Sequence, residues 1–196
     1  MSGKTRLCLH FLTHPDLFEP PPKRIFFHYD QFQDEYLHAK TSLAEKGIEL
    51  LLYKGCNDIS LDNIDKIGEQ TILLIDDFSE ESSKCKEIAR IACNGRHKNI
   101  SLWLVWHSLF NNHEASRKIC QNTGLFFFLP SLRLESQLRS FGTQLGLRDR
   151  LIYAYKFCQE SENIQERYIV VDSRPQIPDI LRVRSHIHLP IQYCYS

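Results

Sequence analysis

Three residues at the start of the chain, Gly3-Lys4-Thr5, and two near its middle, Asp76-Asp77, are of the types that handle phosphate and a divalent cation. A Gly-Lys-Thr that opens a helix is the closing part of the phosphate-binding pattern G-x-x-x-x-G-K-[ST]. In that pattern the glycine lets the backbone wrap phosphate oxygens. The lysine neutralises β- and γ-phosphate charge, and the hydroxyl binds Mg²⁺. The helix that follows adds its positive end. Gly3, Lys4 and Thr5 are therefore nucleotide-binding candidates, with Thr5 also a metal ligand. The first glycine of the pattern and the strand before it would lie upstream of Met1.

Ile72-Leu73-Leu74-Ile75-Asp76-Asp77 reads as a buried strand ending in two carboxylates. Asp76 falls at the C-terminal end of that strand, where open α/β sheets take ligands. It is expected to hold Mg²⁺ through water. Asp77 is expected to polarise the attacking water as a general base. The alternative for this segment is a strand that ends in a solvated acidic turn. The Gly-Lys-Thr ahead of an intervening strand, helix and strand favours the chemical reading.

The next strand ends at Trp106-His107-Ser108. In P-loop NTPases of the additional-strand class a polar residue at such a strand end senses the γ-phosphate, a place that His107 or Ser108 fits, with Asn111 and Asn112 as lesser candidates; the alternative is an ordinary strand-end histidine. Gly95-Arg96-His97-Lys98-Asn99 precedes that strand. It is either a solvated basic turn or the carrier of an arginine that enters a neighbouring subunit's ATP site and stabilises the transferring phosphoryl group.

These residues need a scaffold, and the pattern of apolar runs supplies one. Helices are expected over 4–18, 33–47, 60–68, 82–95, 114–122, 131–145 and 149–160. Strands are expected over 23–30, 48–53, 71–78, 100–107, 125–129 and 167–172. Alternation of this kind implies an α/β fold with a mostly parallel sheet covered on both faces. No internal repeat or linker interrupts it, so residues 1–196 read as a single domain, with 175–196 a proline-punctuated extended tail.

Composition agrees with an ordinary globular chain: 196 residues, 42% apolar and 24% charged. No stretch approaches the roughly 20 apolar residues that span a bilayer. Lysine plus arginine and aspartate plus glutamate number 24 each, so broad nucleic-acid affinity is not advertised, though a small basic surface remains compatible. The seven cysteines are scattered and never form C-x-x-C, which argues against a disulfide framework or zinc ribbon and for buried free thiols. His186-x-His188 lacks an evident third metal ligand. Trp103 and Trp106 read as core residues.

The Gly-Lys-Thr helix, LLIDDF, GRHKNISLWLVWHSLF and the helical stretch after LFFFLP resemble the FtsK/HerA-related genome-packaging ATPases of double-stranded DNA viruses and virus-like elements. These are P-loop NTPases of the additional-strand class. The segment Arg96-His97-Lys98-Asn99-Ile100-Ser101 is the most specific match, and residues 177–184 resemble the tail of such ATPases in invertebrate virus-like elements. The resemblance implies a three-layer P-loop sheet, here with its first (P-loop) strand missing. It implies ATP and Mg²⁺ as cofactors, with Lys4 and Thr5 in Walker A, Asp76 and Asp77 in Walker B, Arg96 as an arginine finger and His107 as sensor. It implies a homo-oligomeric ring that drives double-stranded DNA into a capsid, with a capsid or portal protein as partner. The setting it implies is intracellular, in host cytoplasm or nucleus, or virion-associated. The family usually places Gln, often then Asn, where this chain has His107-Ser108; imidazole also donates a hydrogen bond to phosphate. Two other readings stay open: an inactive, truncated NTPase-like interaction domain, and another P-loop ATPase such as a helicase loader or transposition ATPase.

Overall fold

A computed structural model describes residues 3–56, 59–64, 69–77, 85–107, 113–131, 134–161, 163 and 166–196. They fall into two compact units, Lys4–Asn122 and Thr123–Ser196, where the sequence reading has one domain.

The first unit is α/β. Strands β1 (Arg24–Tyr29), β2 (Glu49–Lys54), β3 (Thr71–Ile75) and β4 (Ile100–Leu104) pair in parallel in the order β2-β1-β3-β4. All five residues of β3 are buried. A parallel strand with helices on both faces has no solvated side, which is why TILLI is apolar throughout rather than alternating. Successive side chains of the strands serve opposite faces. Ile25, Phe27, Ile72 and Leu74 pack with Leu9 and Leu12 of α1 (Lys4–Leu12) and with Tyr36, Ala39 and Leu43 of α2 (Glu35–Glu45). Phe26, Leu73 and Ile75 pack instead with Ile64 of the short α3 (Leu61–Ile64), Ile88 and Ile91 of α4 (Cys85–Asn94) and Ile119 of α5 (Glu114–Asn122). Each fully buried Leu, Ile or Phe contributes roughly 1.5–3 kcal/mol, and the two faces hold most of the unit's core.

The helix ends have local causes. The first helix was expected to run to residue 18; it stops at Leu12. There the Thr13 hydroxyl donates to the Leu9 carbonyl at 3.0 Å, and Pro15 starts a separate 3₁₀ turn, Pro15–Leu17. After α2 the chain reverses at Gly47, whose φ of +72° suits a residue without Cβ. The expected 60–68 helix is observed over Leu61–Ile64; residues 65–68, 78–84 and the candidates Ser108, Asn111 and Asn112 lie outside the described residues.

The second unit corrects two expectations. Its strands β5 (Leu125–Phe128), β6 (Ile169–Asp172), β7 (Val183–Ser185) and β8 (Tyr193–Cys194) are all antiparallel, in the order β5-β6-β7-β8. The mostly parallel arrangement therefore applies to the first sheet alone. The tail from Pro175 is not simply extended: it makes a 3₁₀ turn at Asp179–Leu181 and supplies two hydrogen-bonded strands, with Val183 and Ser185 fully buried. Helices α6 (Leu134–Leu145) and α7 (Arg148–Gln159) belong to the same unit. At the end of β6, Asp172 is fully buried. Its Oδ1 accepts from Arg174 Nε at 2.9 Å, and its Oδ2 from Arg174 Nη2 at 2.6 Å and Arg184 Nη2 at 3.1 Å.

The α6–α7 turn depends on one missing methyl group. A Cβ at Gly142 would meet the Arg148 Cα at 2.6 Å and the Leu151 Cδ1 at 3.1 Å. The first neighbour is backbone and cannot rotate away. Gly142→Ala is expected to cost about 2 kcal/mol through overpacking, read as a lower urea midpoint with an unchanged slope.

Candidate functional site

Four segments meet beyond the C-terminal ends of β3 and β4. From β1 the chain turns outward to β2, crosses back to β3, and continues outward to β4, so the order β2-β1-β3-β4 reverses direction between β1 and β3. Open parallel sheets take ligands at such a switch point. Asp76 follows β3 directly, and its backbone N–H donates to the His28 carbonyl of β1 at 2.8 Å. The same corner receives the N-terminus of α1.

Thr5, in the first turn of α1, donates its hydroxyl to Asp76 at 2.9 Å from Oδ1 and 3.0 Å from Oδ2. The Tyr36 hydroxyl donates to Asp76 Oδ2 at 3.1 Å. Lys4 Nζ donates to the Trp106 carbonyl at 3.0 Å and reaches His107 Nδ1 at 3.0 Å. His107 Nε2 lies 2.8 Å from Asp77 Oδ1. An ammonium only donates, so Nδ1 accepts from Lys4 and Nε2 carries the proton given to Asp77. Asp77 adopts φ +59°, a left-handed conformation that aspartate tolerates better than most residues.

Burial lowers the Lys4 ammonium below its ordinary value, and the charges of Asp77 and Asp76 only partly restore it. An anion placed beside Lys4 would add favourable charge in this half-buried position. Burial first, then the Asp76 charge, pushes the Cys8 thiol up to about 12. It stays protonated and is no nucleophile at neutral pH.

Of the sequence candidates, Lys4, Thr5, Asp76, Asp77 and His107 are brought together, and Gly3 is the residue before α1. Arg96 is not among them. It is exposed in the 3₁₀ turn Gly95–Lys98, which precedes β4, whereas His107 follows it. The five residues of β4 alone separate the two by roughly 15 Å. Trp103 and Trp106 pack at the margins of the two core clusters, as core residues do. Tyr36 falls within the helix expected over 33–47 and is not among the sequence candidates. A tyrosine on a buried face is the available signal, since a phenol in a core needs an acceptor.

The donor set suits Mg²⁺. Thr5 Oγ1 and the Asp76 carboxylate are hard oxygen donors of the kind Mg²⁺ takes, directly or through water, and they lie side by side as a hydrogen-bonded pair at 2.9–3.0 Å. Among the described residues no group of three or more His, Cys, Asp or Glu side chains forms a metal cluster of its own. No helix among the described residues is long and apolar enough to cross a membrane. Comparisons of the chain with protein families, with characterised proteins and with solved structures gave no match.

Proposed function

We propose that residues 4–122 are the nucleotide-handling unit of a P-loop NTPase of the additional-strand class, and that the chain acts as an ATP-driven motor subunit packaging double-stranded DNA into a viral or virus-like capsid. One observation carries the nucleotide reading: the Thr5 hydroxyl meets the Asp76 carboxylate at 2.9 Å although 71 residues separate them. The two expected metal-binding residues thus converge at a sheet switch point, beside a lysine at a helix N-terminus. The packaging reading rests on the GRHKNIS segment and its resemblance, with Arg96 exposed at the far end of β4, open to a neighbouring subunit's site.

In this reading Lys4 leaves the Trp106 carbonyl for the β/γ-phosphates, and the first-turn N–H groups of α1 face the same oxygens. Thr5 and Asp76 hold Mg²⁺, which when bound neutralises phosphate charge and acts as a Lewis acid. Asp77 orients the attacking water and takes up its proton. His107, bonded to both Lys4 and Asp77, connects the phosphate contact to the base. Arg96 of one subunit stabilises charge in the site of the next.

The test is ATP turnover by the purified chain, with and without linear duplex DNA. Turnover that duplex DNA stimulates and that Lys4→Ala lowers by about 100-fold or more supports the motor. Lys4→Ala should leave folding intact, because the burial that depresses the Lys4 ammonium also disfavours the charge in the folded state. Absence of nucleotide binding by the unaltered chain would sink the reading. ATP turnover indifferent to duplex DNA would keep the NTPase and remove the packaging role.

A further inference from the structure

The Asp76 carboxylate is held from two sides, and the two holds differ in kind. Thr5 is half-buried in the first turn of its helix, and only its hydroxyl hydrogen, turning about the Cβ–Oγ1 bond, is shared between the two carboxylate oxygens. Tyr36 is completely buried in the first turn of α2. Its ring is wedged among Phe27, Tyr29 and Phe32, with centroids 4.7, 5.5 and 5.7 Å away. The phenol therefore cannot swing away, and its O–H points at Asp76 Oδ2 from 3.1 Å.

The consequence is asymmetric. Among the described residues, Oδ2 accepts from both hydroxyls, whereas Oδ1 accepts from Thr5 alone. A carboxylate oxygen has about two lone-pair directions, so Oδ1 is the oxygen with capacity to spare. Were Thr5 Oγ1 to give a lone pair to a cation, the Tyr36 hydroxyl would still hold Oδ2 of the carboxylate. Outer contacts of this kind orient metal ligands, and their loss typically weakens metal binding about 10–100-fold.

We propose that Tyr36 is a positioning residue for the metal site: its buried hydroxyl fixes the Asp76 carboxylate so that Oδ1 faces the cation of a bound metal–nucleotide. This rests on the nucleotide reading given above. Tyr36 straddles the switch point with Asp76, one on the helix after β1 and the other on the turn after β3, so it ties the metal ligand to the rigid side of the crevice.

The experiment titrates Mn²⁺, followed by electron paramagnetic resonance, into the whole chain with a non-hydrolysable ATP analogue. Tyr36→Phe keeps the ring and removes only the hydroxyl. It should raise half-saturating Mn²⁺ by about 10-fold or more while the metal-free affinity for the analogue stays the same and the thermal midpoint moves by only about 3 °C. Ile91→Val thins the core on the opposite face of the sheet, away from the Tyr36 ring; it should lower the thermal midpoint and leave Mn²⁺ affinity unchanged. Equal Mn²⁺ affinity in Tyr36→Phe and the unaltered chain overturns the role of Tyr36. So does a matching loss in Ile91→Val, since general loss of stability would then explain the effect. Failure of the unaltered chain to take up Mn²⁺ with the analogue overturns the nucleotide reading instead.

Discussion

ATP turnover is expected to fall by at least about 100-fold in Asp76→Asn, with little change in fold. The magnitude follows from what is removed. A carboxylate that holds Mg²⁺ supports transition-state charge stabilisation of several kcal/mol, and each 1.36 kcal/mol is about tenfold in rate. The amide keeps an oxygen that accepts from Tyr36 and Thr5, so neither hydroxyl is stranded. Asp76→Ala is the harsher change. It leaves the buried Tyr36 hydroxyl without its acceptor, a loss of about 1–3 kcal/mol, and so mixes stability with chemistry. Initial rates across a Mg²⁺ series, with a thermal melt of each variant, separate the two. Turnover in Asp76→Asn within a few-fold of the unaltered chain would remove Asp76 from the metal site.

Asp172→Ala is expected to destabilise the Thr123–Ser196 unit by about 3 kcal/mol, the low end for breaking a buried ion pair. The estimate is kept low because Arg174 is 44% exposed and can rehydrate. Arg184 is only 19% exposed and is the cation left in difficulty. Burial pushes the Asp172 carboxyl upward, but the hydrogen bonds from Arg174 and the charges of Arg174 and Arg184 outweigh it and hold the group below the usual carboxylate range. A carboxyl that titrates lower in the folded state adds stability above its unfolded value, near ~4, and loses it as pH falls through the folded value. The unaltered chain should therefore weaken steadily below about pH 4. Asp172→Ala should lack that limb while being less stable at neutral pH. Urea midpoints measured from pH 2 to 7 check both statements; parallel pH profiles would refute the assignment.

The first sheet was legible because its physics is local. A run such as Thr71–Ile75 is apolar at every position only when both faces are covered, and alternating helices supply that cover. Lys4, Thr5, Asp76 and Asp77 were legible for a related reason: each is fixed by what lies beside it in the chain, a helix start or a strand end. Direction of pairing is different. Leu125–Phe128 and Ile169–Asp172 are apolar runs that read alike in either sense, and only their antiparallel register decides. Strands of three and two residues, Val183–Ser185 and Tyr193–Cys194, are too short to display a period. Tyr36 escaped notice because its hydroxyl meets an acceptor 40 residues away, a contact no window along the chain contains. The Asp172 cluster was hidden likewise, since Arg184 lies 12 residues on, across a strand pairing.

The same long separations set the order in which the site can come into being. Its closing contacts join Thr5 to Asp76 across 71 residues and Lys4 to Trp106 across 102. Loop closure over such distances is unfavourable until the sheet between them has formed. Until the end of β4 is in place, Lys4 lacks the carbonyl and imidazole it meets in the folded unit. The corner around Asp76 is thus completed only after the sheet that separates its members in sequence has been assembled.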